Sequence, residues 1–161
     1  MTTAVRDARP PAALIRVLNP ILRVLLPSRL GRLVRPFALI EFTGRRSGSR
    51  YRVPAGLHRA GGFTVVFTPA AWRANFSGGA SATLHHRGRT RQMIGTLITD
   101  PAEVADALRS VLAGGTSPRL LGLHIPSEHR VDASDIASVG REMIRFHTDN
   151  APTPSLVIAT H

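Results

Sequence analysis

Cysteine and lysine are absent from this 161-residue chain, and tryptophan and tyrosine occur once each. Without cysteine there are no disulfides, thiolate metal sites or cysteine nucleophiles, which agrees with a reducing compartment. Without lysine there is no P-loop lysine, no Schiff base and no lysine general base, so a phosphate must be gripped by guanidinium groups and backbone N–H groups. The scarcity of aromatics, with no helix-turn-helix, RNA-recognition or zinc-finger pattern, weighs against nucleic acid as the partner. No G-x-S-x-G elbow occurs, so a serine hydrolase is poorly supported.

What is present is arginine. All 21 cationic side chains are arginine against 10 carboxylates, a formal charge of +11. Such a field favours anionic ligands or an anionic lipid surface without choosing between them. The length fits one domain able to bury a core without staples. Residues 1–11 read as a flexible tail. Residues 12–35 read as an amphipathic helix and an arginine-rich connector. Residues 36–161 hold the folded domain.

In the helix, Leu14, Ile15, Val17, Leu18, Ile21, Leu22, Leu25 and Leu26 fill most of a helical wheel, with Arg16, Asn19 and Arg23 as a narrow polar stripe. Pro20 should kink or divide it. The segment is too short and too charged to span a bilayer. Its broad apolar face fits either packing on the domain or peripheral contact with a membrane through residues 12–26. Localisation is expected to be cytoplasmic, with the inner face of the cell membrane as the peripheral site.

From Phe37 the pattern changes to short apolar runs divided by glycine and proline, which reads as a β meander closing into a small barrel. The strand candidates are Phe37 to Thr43, Tyr51 to Arg59, Phe63 to Thr68, Ser81 to Arg87 and Thr90 to Thr99. Pro69 to Gly79 suits one or two helical turns around Trp72. Asp100-Pro101-Ala102-Glu103 is a helix start with the spacing of a capping box, and the helix should run to Ala113. A second helix is predicted over Ser134 to His147, and a terminal strand over Leu156 to Ala159. Adjacent His85 and His86 on a strand point to opposite faces, so they do not suit one metal ion, and one of them should face the barrel interior or a cofactor cleft. His124 and His129 are likewise read as non-ligands.

The turn Gly44-Arg45-Arg46-Ser47-Gly48 sits between the first two strand candidates. Glycines expose backbone N–H groups, and a guanidinium offers a planar fork of donors to an anionic oxygen. The same five residues also fit an ordinary hairpin with a solvated arginine tip. The run Pro36 to Gly48, then Tyr51-Arg52-Val53-Pro54, then Trp72-Arg73-Ala74-Asn75 before Gly78-Gly79, resembles the deazaflavin-dependent nitroreductase family. The resemblance covers roughly Pro36 to Pro101. It implies a mainly β, split β-barrel fold with flanking helices, of the FMN-binding type, and coenzyme F420 as hydride donor to a small hydrophobic acceptor such as a quinone, nitroaromatic or activated alkene. By the same resemblance Arg45, Arg46 and Ser47 hold the cofactor phosphate and Gly48 admits it closely. Tyr51 and Arg52 flank that site, Pro54 shapes the wall beneath the ring, and Trp72 and Asn75 border the ring pocket. FMN or haem in the same barrel are the competing cofactors, and a non-catalytic lipid-binding module is the competing role. The loop before Trp72 is shorter than in many relatives, and no residue stands out as a proton donor.

Overall fold

The computed structural model describes residues 4–8, 12–28 and 37–149. Its centre is a seven-stranded antiparallel sheet in the order β3-β2-β6-β7-β9-β5-β4. The strands are β2 (Phe37–Thr43), β3 (Arg50–Gly56), β4 (His58–Ala60), β5 (Phe63–Thr68), β6 (Ala80–His86), β7 (Arg89–Ile98) and β9 (Glu142–His147). The two edge strands, β3 and β4, are consecutive in the chain and separated by Leu57 alone. One extended segment therefore pairs with β2 at one edge and with β5 at the other, which curls the sheet into a barrel split along that segment. The fold is mainly β with flanking helices, as the sequence pattern predicts.

Pairing register assigns each side chain to a face, because partners across a ladder point the same way and neighbours along a strand alternate. Ile40, Phe42, Val66, Ala82, Leu84, Met93, Ile144 and Phe146 form the barrel core. Val65 and Met143 point outward into a second core with α2 (Pro101–Ala113), where Val104, Ala105, Leu108 and Val111 are buried. Asp100 caps α2 by accepting from the Ala102 N–H. Glu103 does not turn back to complete a capping box and instead accepts from Arg145 on β9.

Helix α1 (Ala12–Leu25) is assigned without interruption through Pro20. Its Leu22, followed by Leu26, packs on Leu39 of the barrel's outer face, while Ile21 and Val24 stay exposed. Among the described residues no helix is long and apolar enough to cross a membrane.

Two further expectations change. The helix predicted over Ser134 to His147 is only α3 (Ala133–Val139), ended by Gly140 in the left-handed conformation, and residues 142–147 form β9, an interior strand between β7 and β5. Met143 faces the α2 layer and Ile144 the barrel interior, so adjacent residues are both fully buried and strand alternation is hidden. Within the segment read as a loose tail, Val5 is buried and β1 (Arg6–Asp7) pairs with β8 (Leu123–His124). Buried Arg141 holds it there, donating to Asp7 at 3.1 Å and to the carbonyls of Gly122 and Leu121. The terminal strand expected at Leu156 to Ala159 lies outside the described residues.

The barrel interior closes around a missing side chain. A Cβ on Gly95 of β7 would lie 2.7 Å from both the Phe76 and Phe146 rings, inside contact distance of two large buried groups. Gly95→Ala is therefore expected to lower stability by about 2 kcal/mol through overpacking, read as a fall in the urea midpoint with an unchanged m-value; an unchanged midpoint would mean that the rings can move aside.

Candidate functional site

The barrel has two unlike ends. At the first, the β2–β3 turn is closed by Gly48 N–H to Gly44 O and Gly44 N–H to Ser49 O. Gly48 takes φ +66°, and a Cβ on Gly44 would lie 2.5 Å from the Ser47 hydroxyl and the Tyr51 ring. Both glycines are thus required by the turn itself. A 3-10 helix (Ala71–Phe76) covers this end, with Phe76 fully buried as its plug.

The structure joins the turn to that helix. The Arg45 N–H donates to Asn75 Oδ1 at 2.8 Å, Asn75 Nδ2 donates to the Trp72 carbonyl at 2.8 Å, and the Arg45 guanidinium donates to the Ser77 carbonyl. Arg45 is therefore a tie between two elements. Arg46 is exposed and has no carboxylate partner among the described residues, so it is the turn's available cation. Ser47 Oγ accepts from the Ser49 N–H and lies 3.3 Å from the Tyr51 hydroxyl.

Tyr51 faces inward and stacks on Phe42, with centroids 5.3 Å apart and planes 11° from parallel. Phe42 in turn meets Trp72 at 5.8 Å and Phe76 at 5.1 Å, so a continuous aromatic wall runs from the turn to the barrel core. A shallow groove of about 180 Å³ lies on the outer face of the sheet, opposite this wall, lined by Glu41, Thr43, Arg50, Thr83 and Gln92 among others. Of the residues singled out in the sequence, Arg45, Arg46, Ser47, Gly48, Tyr51, Trp72 and Asn75 gather at this corner. Arg52 and Pro54 do not, because they alternate onto the outer face of β3, where Arg52 Nε donates to Glu41 at 2.8 Å.

Among the described residues the other end is open. A cavity of about 770 Å³ enters the barrel there, with Leu57, Leu84 and Met93 on its walls and Arg59, Arg87, Arg89 and Arg91 around it. The pleat explains the crowding. His86 pairs with Arg89, Leu84 with Arg91 and Ala82 with Met93, so each arginine continues an inward-facing row whose deeper members are core. Arg59 pairs with Thr64, which shares the interior parity of Val66. Sequence reading passed over these four arginines, since they lie in two separate segments and only the closure at Leu57 brings them together. Of the two adjacent histidines, His86 lines this cavity and His85 takes the outer face, where its Nδ1 lies 2.9 Å from the Thr90 hydroxyl.

No protein-family model matches the sequence, and no curated protein matches it. Solved structures similar to the chain include a candidate 5-nitroimidazole antibiotic resistance protein from Bacteroides thetaiotaomicron, with TM-score 0.41 and 11% identity over 90% of this chain and 83% of that one. Another is the FAD and haem binding protein from Mycobacterium smegmatis, with TM-score 0.34 and 17% identity over 98% of this chain and 93% of that one.

Two histidines near the open end make stability depend on pH. Burial holds His58 below its ordinary value of 6.5. Burial first, then the charges of Arg87 and Arg91, do the same to His86. Below that ordinary value the unfolded chain binds protons that the folded chain refuses, so stability rises with pH through the window and is lost on acidification. Urea midpoints should fall between about pH 7 and pH 5, and His58→Gln with His86→Gln should flatten the slope. An equal slope in the double variant would assign the pH dependence elsewhere.

Proposed function

We propose that the chain is an oxidoreductase that uses a deazaflavin, coenzyme F420, to reduce a small electrophilic acceptor of the quinone, nitroaromatic or activated-alkene type. The observation that carries this reading is the 2.8 Å bond from Arg45 N–H to Asn75 Oδ1. It unites, thirty residues apart in sequence, the two segments whose residues resemble the deazaflavin-dependent nitroreductases.

The corner's chemistry fits such a molecule. Arg46, with the Ser47 and Tyr51 hydroxyls, would hold the cofactor phosphate, since a guanidinium fork and neighbouring O–H donors suit the anionic oxygens of a phosphodiester. The exposed edge of Tyr51 and the half-buried ring of Trp72 would border a tricyclic ring, with buried Phe42 behind them as support. Arg45 and Asn75 act as positioning residues, fixing turn against helix so that the cation and the aromatic wall keep one geometry. When bound, the deazaflavin would supply the hydride, and the protein's share is grip, orientation and partial exclusion of water.

Titration with oxidised coenzyme F420, followed by ring absorbance or fluorescence, tests this. Arg46→Ala removes one charged hydrogen-bonding partner, worth about 1.5–3 kcal/mol, so the Kd should rise roughly ten- to hundredfold. Equal affinity in the variant would remove the clamp. No binding by the intact chain, with a characteristic spectrum on adding FMN or haem instead, would transfer the barrel to those cofactors.

Exposed Ile21 and Val24 on α1 favour a second reading, peripheral contact with a membrane through residues 12–26. Co-sedimentation with anionic vesicles should then be lost in Ile21→Ser with Val24→Ser. Retention by that variant would leave α1 as scaffold.

A further inference from the structure

We propose that the open, arginine-ringed end of the barrel is a binding site for a small anionic amphiphile, a molecule with a phosphate or carboxylate head and an apolar body. The inference is independent of the deazaflavin reading, because the site lies at the other end of β2 from the turn, about 20 Å away at the usual rise per residue of a strand.

Charge is the first argument. The cavity of about 770 Å³ has Arg59, Arg87, Arg89 and Arg91 among its lining residues and no carboxylate. Among the described residues none of the four is in an ion pair, whereas Arg52, Arg73, Arg109, Arg141 and Arg145 all are. Four like charges converging on one concave opening repel one another, and the field they focus into it favours an anion. Arg59 makes only a 3.3 Å bond to the Gly62 carbonyl, which occupies one of its five donors.

Backbone strain is the second. Arg87 and Gly88 form the two-residue turn between β6 and β7, and Arg87 has φ +53°, the only positive φ at a non-glycine residue among those described. Asparagine or glycine serves this position at less cost, since a longer side chain in the left-handed region carries a penalty. An arginine is held here against the preference of the turn, and it adds the fourth charge to the rim.

Depth is the third. Leu84 and Met93, each two residues from a rim position on the same face of its strand, belong to the barrel core, and Leu57 completes an aliphatic wall. Leu120 is 53% exposed at the opening. A ligand that is only an ion would leave that apolar lining unused. One with a hydrocarbon body fills it, with its head at the arginines. A barrel mouth is a common place for such a ligand. Duplex nucleic acid, which needs cations spread over a convex or extended face, fits this concavity poorly.

The test is calorimetric titration of the full chain with octyl phosphate below its micelle concentration. One saturable site is expected, with inorganic phosphate and octyltrimethylammonium each binding at least tenfold more weakly. Arg89→Gln with Arg91→Gln should weaken octyl phosphate at least tenfold while leaving the thermal midpoint unchanged or higher. Arg87→Asn should weaken it severalfold and raise the midpoint, a combination that misfolding cannot produce. Arg46→Ala should leave it unaltered, which separates this site from the turn. Absence of binding, equal binding of the ammonium compound, or equal affinity in both rim variants overturns the proposal. Phosphatidylglycerol vesicles separate the sources: sedimentation displaced by octyl phosphate supports a bilayer-borne head group, and saturation by octyl phosphate without sedimentation supports a free ligand.

Discussion

One covalent fact governs the molecule: a single extended segment leaves one edge of the sheet and arrives at the other with only Leu57 between the two pairings. Exposed strand edges invite pairing with other chains, and a closed sheet largely removes them. Closure also fixes the inside. Once β3 and β4 are one strand, the parity of every other strand follows, and Ile40, Leu84, Met93 and Phe146 must meet in a common interior. The small diameter makes that interior crowded, and for this reason β7 has glycine where Phe76 and Phe146 converge.

The same closure separates the charges. Carboxylates are few, and those described are spent on the outer surface or the flanking layer: Glu41 on Arg52, Glu142 on Arg73, Glu103 on Arg145, Asp7 on Arg141. All but the first join elements far apart in sequence, and the buried one at Arg141 ties the first described residues to the segment after α2. With Asp106 on Arg109 and Asp135 on His129, such pairs take up six of the ten carboxylates, and Asp100 and Asp132 cap helices. Among the described arginines in no ion pair, Arg59, Arg87, Arg89 and Arg91 lie where the barrel opens and Arg46 at the tip of the β2–β3 turn, while Arg6, Arg23, Arg119 and Arg130 are spread over the remaining surface.

Much of this architecture was legible in the residues. The meander, the capped helix α2 and the turn at Gly44 to Gly48 all announce themselves through local signals: alternation, a proline at the start of a helix, glycines between strands. What local signals could not convey was tertiary. Residues 142–147 read as helix because α2 on one side and the barrel interior on the other bury both faces of β9, erasing the period of two. Arg52 and Pro54, next to Tyr51 in sequence, looked like its companions, yet alternation sends them to the outer face. Arg45 also ties the turn to the 3-10 helix, through its N–H on Asn75 and its guanidinium on the Ser77 carbonyl, which no spacing rule reveals. Conversely, Arg59 and Arg89 are thirty residues apart and carry no motif, and only the edge-to-edge strand makes them neighbours.

The contrast between the barrel's ends is itself a chemical argument. At the turn, four rings, Tyr51, Phe42, Trp72 and Phe76, form an edge-on and stacked series with one available guanidinium beside it. On the proposed function the exposed edge of Tyr51 and the half-buried Trp72 would border a planar ring and the guanidinium would meet its phosphate, with Phe42 and Phe76 buried behind them as support. At the open end the balance is reversed: Leu57, Leu84 and Met93 share the walls with His58, His86 and Thr64, and the charges number four. Aliphatic walls adapt to a flexible chain but give no stacking, while several convergent cations discriminate strongly for an anionic head. On these two proposals a ligand suited to one end would find the wrong complement at the other, so a substitution at Arg46 is expected to leave binding at the open end unchanged and one at Arg89 to leave binding at the turn unchanged.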